Sequence, residues 1–315
     1  MSAETTYRLE DRGDHRLLTV DGAAHSTRYS ERVVRMLIDR KGPQRTPLYF
    51  PFKETRGRRF LDPLFRYLRT EPKRPLAVLE VGCSFGHMTE YLSEQPEVAT
   101  IHAFDTDPAF VEIARLKARE LGLDAVADIA LLSNDETRRL PYEPGRFDLV
   151  LAVGVVEHLS TRDRRAQVDE YYRVLAPGGY VAILDTPNRL FPLETHSVGL
   201  PLVQWLPPRL AYRYARLGRP GKFADVSFEE FVADGTGWTN ATLQECLPSS
   251  GWRGLDDVTE AAGYGWEFFC ATGGARARAA RPLFAAVVAV LRATGQPPSL
   301  CLPYLNLLFR KRTAA

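Results

Sequence analysis

Cysteine is scarce in this chain, and long apolar runs are missing from it. The 315 residues include four cysteines, Cys83, Cys246, Cys270 and Cys301, and no Cys-x-x-Cys pair. This spacing predicts neither a disulfide framework nor a thiolate zinc site. No apolar run reaches the roughly 18 residues that a membrane-spanning helix needs. The first residues are polar and charged, unlike a secretory signal. We therefore expect a cytoplasmic protein.

Neither sign of charge dominates the composition, but the charges are unevenly distributed. Lys and Arg number 41, Asp and Glu number 39, and the formal net charge is +2. Residues 1–75 and 272–315 carry an excess of basic residues, whereas the segment between them is acidic. Such an arrangement could steer an anionic substrate, although solvated surface arginines explain it equally well.

The segment VLEVGCSFGHMT, residues 78–89, is the most informative part of the chain. An apolar strand ends beside Glu80 and is followed by a small-residue turn and the start of a helix. Gly82 and Gly86 carry no Cβ, so the backbone can approach a ligand closely. The helix N-terminus would point at the same place. A tight structural turn without a ligand explains these residues too, so the segment needs support from elsewhere in the chain.

An acidic residue ends the next predicted strand, about twenty residues further on. Asp105 follows the apolar run IHAF and is placed to hydrogen-bond a ribose diol. Asp107 immediately precedes Pro108, which is the pattern of a helix N-cap with proline at the first helical position. We therefore assign Asp105 to ligand binding and Asp107 to the cap.

Strands and helices continue to alternate downstream. Residues 147–153 form a nearly continuous apolar run, typical of a strand buried on both faces. A helix is predicted at 163–175, before Pro177-Gly178-Gly179, and a further strand at 180–185. This alternation predicts an open, mostly parallel α/β sheet with helices on both faces and ligands at the carboxyl ends of the strands.

Together these motifs resemble those of the class I S-adenosylmethionine-dependent methyltransferases. The resemblance covers roughly residues 76–188 and departs from the usual pattern at Ser84, where the family often has glycine. It implies a seven-stranded Rossmann-like sheet whose last strand is antiparallel, and residues 252–257 and 264–271 are our candidates for the final two strands. A nicotinamide enzyme would instead need Gly-x-Gly-x-x-Gly, which this segment lacks.

The same resemblance implies a set of residues that hold S-adenosylmethionine. Glu80 and the backbone of the turn would hold its methionine part, and Asp105 would bind its ribose. Thr106 would flank the adenine, and Asp135 or Glu136 would contact it. The carbonyl near Val153 would accept a hydrogen bond from the ammonium group. The spacing after residue 136 leaves open which of the two acids contacts adenine. The predicted cofactor-binding residues are Glu80, Gly82, Ser84, Gly86, Asp105, Thr106, Asp135, Glu136 and Val153.

The rest of the chain surrounds this core. We predict an N-terminal extension at 1–75 that acts as a lid, a cofactor-binding core at 76–188, and a substrate-cap insertion at 189–250. Residues 251–272 would complete the core with two strands. Residues 273–315 form an apolar, basic tail, predicted to be helical. That tail is typical of a membrane-surface contact, of a segment covering the domain edge, or of a homodimer contact.

Two histidines are candidates for catalysis. His158 and His196 both follow predicted strand ends, and imidazole titrates near neutral pH, so either could remove a proton from a hydroxyl. Glu157, which adjoins the first of them, is a third predicted catalytic residue, and a structural role is the alternative for each histidine. Metal-assisted enzymes that methylate RNA 3′ ends carry a further glutamate where this chain has Gly154. Glu194 could replace it, but we expect no metal.

We therefore predict an enzyme that methylates a hydroxyl oxygen of a sugar, glycolipid or secondary metabolite. The expected partners are a small-molecule or glycolipid acceptor rather than nucleic acid. The alternatives are RNA 2′-O-methylation, with or without a metal, and a module that binds S-adenosylmethionine without catalysis. Acceptor specificity would lie in residues 1–75 and 189–250, where no motif identifies it.

Overall fold

The computed structural model describes residues 7–72, 75–233, 236, 238–272 and 274–313. The first six residues of the predicted extension lie outside this description. The chain divides into two compact units, one comprising residues 1–65 and 72–133 and the other residues 66–71 and 134–315.

The helices and strands of the first part of the chain lie on both sides of the Gly-rich turn. In chain order, the elements up to residue 131 are β1 (Tyr7–Asp11), β2 (Arg16–Val20), β3 (Ala23–Thr27), α1 (Glu31–Lys41), α2 (Arg58–Leu68), β4 (Leu76–Val81), α3 (His87–Ser93), β5 (Val98–Asp105), α4 (Pro108–Glu120) and β6 (Val126–Leu131).

The N-terminal extension is built from a small antiparallel sheet and an amphipathic helix. Strands β1, β2 and β3 pair in that order, and β1 and β2 form a hairpin around Gly13. In α1, the hydroxyl of Ser30 accepts the Val33 N–H at 3.2 Å and caps the helix. The buried side chains of α1 recur at helical spacing and are Val33, Val34, Leu37 and Ile38. Each such burial contributes about 1.5–3 kcal/mol.

The remaining elements run from residue 134 to residue 311. They are α5 (Asn134–Thr137), β7 (Phe147–Val153), α6 (Arg164–Val174), β8 (Leu175–Pro187), α7 (Pro208–Gly218), α8 (Pro220–Phe223), α9 (Phe228–Val232), β9 (Leu255–Asp257), α10 (Trp266–Thr272), α11 (Ala275–Ala293) and β10 (Tyr304–Lys311).

Seven strands form the main sheet, in the order β6-β5-β4-β7-β8-β10-β9. The pairs β4–β5, β5–β6 and β7–β8 are parallel, whereas β10 is antiparallel to both of its neighbours. The predicted α/β class, the seven strands and the antiparallel last strand are therefore confirmed.

The identity of the last strand differs from the prediction. Residues 266–272 form helix α10 rather than a strand, and only residues 255–257 of the other candidate are extended. The antiparallel strand is β10, which comes from the tail that was predicted to be helical. Five consecutive residues of β10 are buried because the strand lies between two others. An apolar run without alternation does not distinguish a buried strand from a buried helix.

The insertion after β8 has an apolar cluster of its own. The rings of Phe231 and Trp238 stack with their centroids 5.0 Å apart, and α9 begins with a capping box between Ser227 and Glu230. The buried members of the cluster are Val198, Val203, Ala211, Ala215, Phe223, Phe231 and Trp238. Residues of the insertion are therefore held by local packing.

Among the helices described, none combines the length and apolar character needed to cross a bilayer. Helix α11 nevertheless leaves Leu283 and Val290 more than half exposed, at 70% and 63%. Its predicted contact with a membrane surface or with a second copy stays a prediction.

Candidate active site

The Gly-rich turn after β4 consists of alternating left-handed residues. Gly82, Ser84 and Gly86 have φ angles of 65°, 49° and 71°. A Cβ on Gly86 would lie 3.2 Å from the Cβ of Ala114 in α4, which is a tight contact, so packing as well as backbone conformation favours glycine there. Ser84 adopts the left-handed conformation with a side chain, which costs about 1–2 kcal/mol. The turn is therefore slightly strained at the one position where the sequence departs from the family pattern.

Asp105 fixes this turn through its carboxylate. The Ser84 N–H donates to Asp105 Oδ2 at 2.8 Å, and the Asp107 N–H donates to Oδ1 at 3.0 Å. An ionised carboxylate has about four lone-pair positions, so each oxygen can accept one more hydrogen bond. The carboxylate can therefore still accept hydrogen bonds from a ribose diol, and that role of Asp105 stays a prediction. Its bracing of the turn was not predicted from the sequence.

Glu80 is buried at the end of β4. Its side chain is 3% exposed and accepts a hydrogen bond from Thr89 Oγ1 at 2.5 Å. Burial raises the pKa of Glu80 to about 8, an effect that the Thr89 hydrogen bond opposes. A buried carboxyl at this position is suited to a cationic ligand, because a positive charge would offset the cost of ionising it.

The cap predicted for Asp107 is confirmed. Asp107 Oδ1 accepts the N–H groups of Ala109 and Phe110, and α4 begins at Pro108. Arg40 of α1 donates to the other carboxylate oxygen at 2.5 Å, so the extension is tied to this helix start. Thr106, between the two acids, is exposed.

Aromatic residues of the extension pack beside the Gly-rich turn. The Tyr49 ring lies 5.1 Å from that of Phe85, and Phe52 lies 4.9 Å from His87, measured between centroids. The Lys41 ammonium lies over the Phe85 ring at 5.4 Å. The segment predicted as part of a lid therefore contacts the residues that follow the turn.

The predicted cofactor residues of the second unit are accessible. Asp135 and Glu136 lie on the single turn of α5 and are exposed, and Asp135 pairs with Arg138 at 3.2 Å. Val153 is the last residue of β7 and is half-buried. Their roles stay predictions, and the choice between the two acids stays open.

The structure brings the three predicted catalytic residues together. Glu157 and His158 lie on a 3₁₀ turn after β7, and His196 lies in the loop after β8. The two Nε2 atoms are 3.2 Å apart, and the rings meet edge to face. One ligand atom from each of the three residues lies within 4.8 Å of the others, with Glu157 buried and both histidines exposed. Residues 38 positions apart in sequence therefore form one cluster.

Buried polar side chains hold both segments of this cluster. Thr186 Oγ1 donates to Glu157 Oε2 at 3.3 Å. Arg164, 1% exposed, donates to the carbonyls of Glu157 and Leu159 at 3.3 and 3.2 Å and to that of Asn240 at 2.9 Å. The turn that carries Glu157 and His158 is thus anchored from α6.

Glu194 is used inside its loop rather than beside the histidines. Its Oε1 accepts the N–H groups of His196 and Ser197, and its Oε2 those of Val198 and Gly199, at 2.5 to 2.8 Å. These bonds occupy the lone pairs of a fully buried carboxylate. The expectation that Glu194 could supply a missing metal ligand is therefore wrong. This role could not be predicted from the sequence, because a loop of this kind has no fixed spacing.

Known proteins agree with this architecture. A family model described as a methyltransferase domain matches residues 78–179. A ubiquinone biosynthesis O-methyltransferase from Methylobacterium nodulans is 31% identical over 186 residues, which are 56% of this chain and 69% of that protein. The chain belongs to the class I S-adenosylmethionine-dependent methyltransferases. Its methyl donor is S-adenosylmethionine, which the Gly-rich turn, Glu80 and Asp105 fit.

Other relatives of this methyltransferase differ in what their names say they modify. A protein from Bos taurus named "Probable tRNA methyltransferase 9B" is 32% identical over 173 residues, which cover 53% of this chain but only 34% of that protein. Norajmaline N-methyltransferase from Rauvolfia serpentina is 28% identical over 134 residues and is covered to 44%. The chain thus spans less than half the length of these two relatives.

Proposed function

We propose that this methyltransferase methylates a hydroxyl oxygen of a sugar, glycolipid or secondary metabolite. S-adenosylmethionine, when bound, supplies a methyl group on a sulfonium, which is already a good leaving group. The protein's own contribution is then to position the acceptor and to manage its proton. The relative from Methylobacterium nodulans, named as an O-methyltransferase, supports oxygen as the acceptor atom.

The single observation that carries this proposal is the pair formed by His158 and His196. Both side chains are exposed, so an acceptor can reach them. Their Nε2 atoms are 3.2 Å apart, so an imidazolium formed on one ring can donate its N–H to the other. An amine that is already neutral needs no base before attack, whereas a hydroxyl gains from one, typically by about 10²–10⁴ in rate.

In the first unit, we propose that the turn and its braces hold the cofactor. Glu80 and the backbone of Gly82 and Ser84 would hold its methionine part, and Asp105 its ribose hydroxyls. The aromatic contacts of Tyr49 and Phe52 beside the turn support a lid function for residues 1–75.

In the second unit, we propose that residues 189–250 form the acceptor cap. The insertion carries His196, and its local apolar core supports a stable surface for recognition. Trp205 and Leu210 are half exposed on it, at 51% and 50%, and offer apolar area to an acceptor.

RNA 2′-O-methylation is the second candidate, and the bovine relative's name favours it. The net charge of +2 argues against a large phosphate footprint. Transfer to RNA should weaken steeply between 50 and 200 mM salt, by roughly 10³-fold if six or more phosphates are contacted. Transfer to a neutral small molecule should change little over that range.

The proposal is tested by transfer of a labelled methyl group into fractionated host extract. Label in the lipid or small-molecule pool supports it, and label in the RNA pool alone refutes it in favour of the second candidate. If S-adenosylmethionine binds but no pool is labelled, the result favours a module that binds S-adenosylmethionine without catalysis.

Single variants then test the histidine pair. We expect His158→Ala and His196→Ala each to lower kcat by about 100-fold with little effect on cofactor affinity, because a base acts only in the transition state. His25→Ala, on strand β3, is the matched control and should leave kcat unchanged. Unchanged turnover in both site variants would exclude a general base.

The exposed face of α11 is a candidate contact with an anionic membrane. Strand β10 lies between two other strands of the main sheet, so removal of the tail would disrupt that sheet. Leu283→Ser combined with Val290→Ser tests the contact instead, and loss of binding to phosphatidylserine vesicles would support it. Equal sedimentation of variant and parent with the vesicles would exclude this face.

A further inference from the structure

A cavity of about 590 Å³ lies in the second unit, between the chain around β9 and the segment that follows α11. This volume is in the range of small-molecule sites. The aromatic, charged, amide and hydroxyl side chains that line it include Trp252, Asp257, Glu260, Arg292, Gln296 and Ser299. None of these residues belongs to the candidate active site, so the proposed reaction does not account for the cavity.

Trp252 is held in place while much of its indole stays accessible. Its ring meets that of Phe309 at 86°, with the centroids 5.4 Å apart, and Phe309 is fully buried in β10. Trp252 itself is 42% exposed. The face of an aromatic ring is electron-rich and attracts polarised C–H groups. The indole therefore offers the cavity a fixed aromatic surface.

Polar side chains beside this surface are held by hydrogen bonds. Arg292 donates from Nη2 and Nε to the two carboxylate oxygens of Glu260, at 2.5 and 3.4 Å. Asp257 Oδ1 accepts the Thr259 N–H at 3.0 Å. A guanidinium has five N–H donors and a carboxylate about four lone-pair positions, so all three charged groups can still bond a ligand.

Ser299 supplies a hydroxyl at the wall of the cavity. The residue is 3% exposed, and its carbonyl accepts Asn188 Nδ2 at 3.0 Å. Its hydroxyl forms no hydrogen bond with the residues that the structure describes. A hydroxyl is costly to bury without a partner, and a polar ligand would remove that cost. Ser299 therefore indicates a polar ligand independently of Trp252.

The lining favours a neutral sugar over other small molecules. Two acids and one base give it a net negative charge, which disfavours phosphates and other anions. The apolar lining beside Trp252 is limited to small side chains, those of Ala261, Pro297 and Pro298, which offer little area to a hydrocarbon. A pyranose combines a C–H face with a rim of hydroxyls that both donate and accept. It therefore matches an aromatic surface with carboxylates, a guanidinium and a hydroxyl around it.

We propose that this cavity binds a neutral carbohydrate, with a pyranose ring packed on Trp252 and its hydroxyls bonded to Asp257, Arg292 and Ser299. The inference rests on the proposed function only for its consequence, not for binding. That consequence is that the cavity holds a non-reacting sugar of a glycosylated acceptor, so that binding energy is gained away from the reacting hydroxyl.

Asn188 connects the cavity to the candidate active site. Its Nδ2 donates to the carbonyls of Ser299 and Leu302, at 3.0 and 2.8 Å. Thr186, two residues earlier, donates to Glu157. One buried segment at the end of β8 thus contacts both the wall of the cavity and the predicted catalytic residues.

Sugar binding without cofactor or methyl transfer tests the site. Full-length protein is studied by saturation-transfer NMR with methyl α-glucoside, methyl α-mannoside, methyl β-galactoside and maltotriose. We expect at least one of them to receive saturation, chiefly at the C–H protons of one ring face. Trp252→Ala should weaken that binding by roughly tenfold or more, Trp252→Phe by less, and Ser299→Ala by about threefold. Trp205→Ala removes a similarly exposed tryptophan of the insertion, is the matched control, and should bind as the parent does.

Three results would overturn the carbohydrate site. Absence of saturation transfer from the folded parent to all four sugars would refute it directly. Binding that Trp205→Ala removes and Trp252→Ala leaves unchanged would place the sugar on the insertion. Transfer to adenosine but to no sugar, lost in Trp252→Ala, would show a nucleoside site. Since Trp252 is exposed, its variants should fold, and their thermal unfolding would verify this.

The labelled-methyl experiment separates this site from the proposed function. Methyl transfer to a hydroxyl acceptor, with no sugar bound at Trp252, refutes the carbohydrate site alone. Sugar binding that depends on Trp252, with no methyl transfer to any pool, supports the site and counts against the proposed reaction.

Discussion

The carboxylate of Glu194 is the strongest single brace near the candidate active site. It accepts four backbone N–H groups, those of residues 196 to 199, and its side chain is fully buried. In Glu194→Gln, the amide oxygen can keep two of these bonds, but the amide nitrogen is a donor facing two donors. Hydrogen bonds to charged groups contribute about 1.5–3 kcal/mol each, so the loss of two should cost about 3–6 kcal/mol.

Local opening limits how much of this loss appears in global unfolding. If the loop opens, water can solvate the freed N–H groups. A loss of stability of about 6 kcal/mol is therefore expected only if the loop stays closed. We therefore expect the free energy of unfolding to fall by about 3 kcal/mol, and amide exchange at residues 196–199 to accelerate. Displacement of His196 should also lower kcat.

Urea unfolding followed by tryptophan fluorescence measures the stability change, and hydrogen exchange measures the loop. Glu229→Gln, an exposed glutamate on α9, is the matched control and should change stability by less than about 0.5 kcal/mol. If Glu194→Gln matched this control in both assays, the four hydrogen bonds would not be holding the loop.

Four further substitutions test the turns and the buried acid. Ser84→Gly should raise the free energy of unfolding by about 0.5–1 kcal/mol, since relief of the left-handed conformation exceeds the entropy cost of glycine; an unchanged urea midpoint would contradict this. Gly179→Ala should lower the free energy of unfolding by about 3 kcal/mol, because its Cβ would lie 2.8 Å from the Asp148 carbonyl oxygen. Gly178→Ala should lower it by about 1 kcal/mol, because of its φ of 76°. Equal losses in the two variants would refute this reasoning. Burial raises the pKa of Glu80 from 4.5 to about 8, so the cofactor-free protein should lose stability as the pH rises between these values. The loss should reach up to about 1.4 kcal/mol per pH unit. Urea unfolding at several pH values should show that the free energy of unfolding depends less on pH in Glu80→Gln.

Local signals allowed much of the fold to be predicted. The cap at Asp107 depends on two adjacent residues, and the buried face of α1 depends on a repeat of 3.6 residues. The turn at 82–86 is recognisable because glycine is nearly obligatory where φ is positive. Each of these features is determined within about a dozen residues, so the sequence alone was enough.

Elements whose conformation depends on long-range pairing could not be predicted from the sequence. Strand β10 and helix α10 are both short apolar runs, and only their neighbours decide which conformation each adopts. β10 pairs with residues 180–187, more than a hundred positions earlier in the chain. The loop at 194–199 could not be predicted either. One buried acid, Glu194, holds it together, and it contains no helix or strand whose periodicity would show in the sequence.

The second unit's candidate site is built on buried polar contacts more than on apolar packing. Arg164 connects the end of β7 to the insertion through the carbonyls of Glu157 and Asn240, and it pairs with Glu245 at 3.2 Å. A buried charge of this kind costs several kcal/mol to desolvate, and the three carbonyls and Glu245 offset part of that cost. Moving the turn would break these hydrogen bonds, so they favour one arrangement of the backbone. The contacts of Arg164 therefore help to hold Glu157 and His158 in place beside His196.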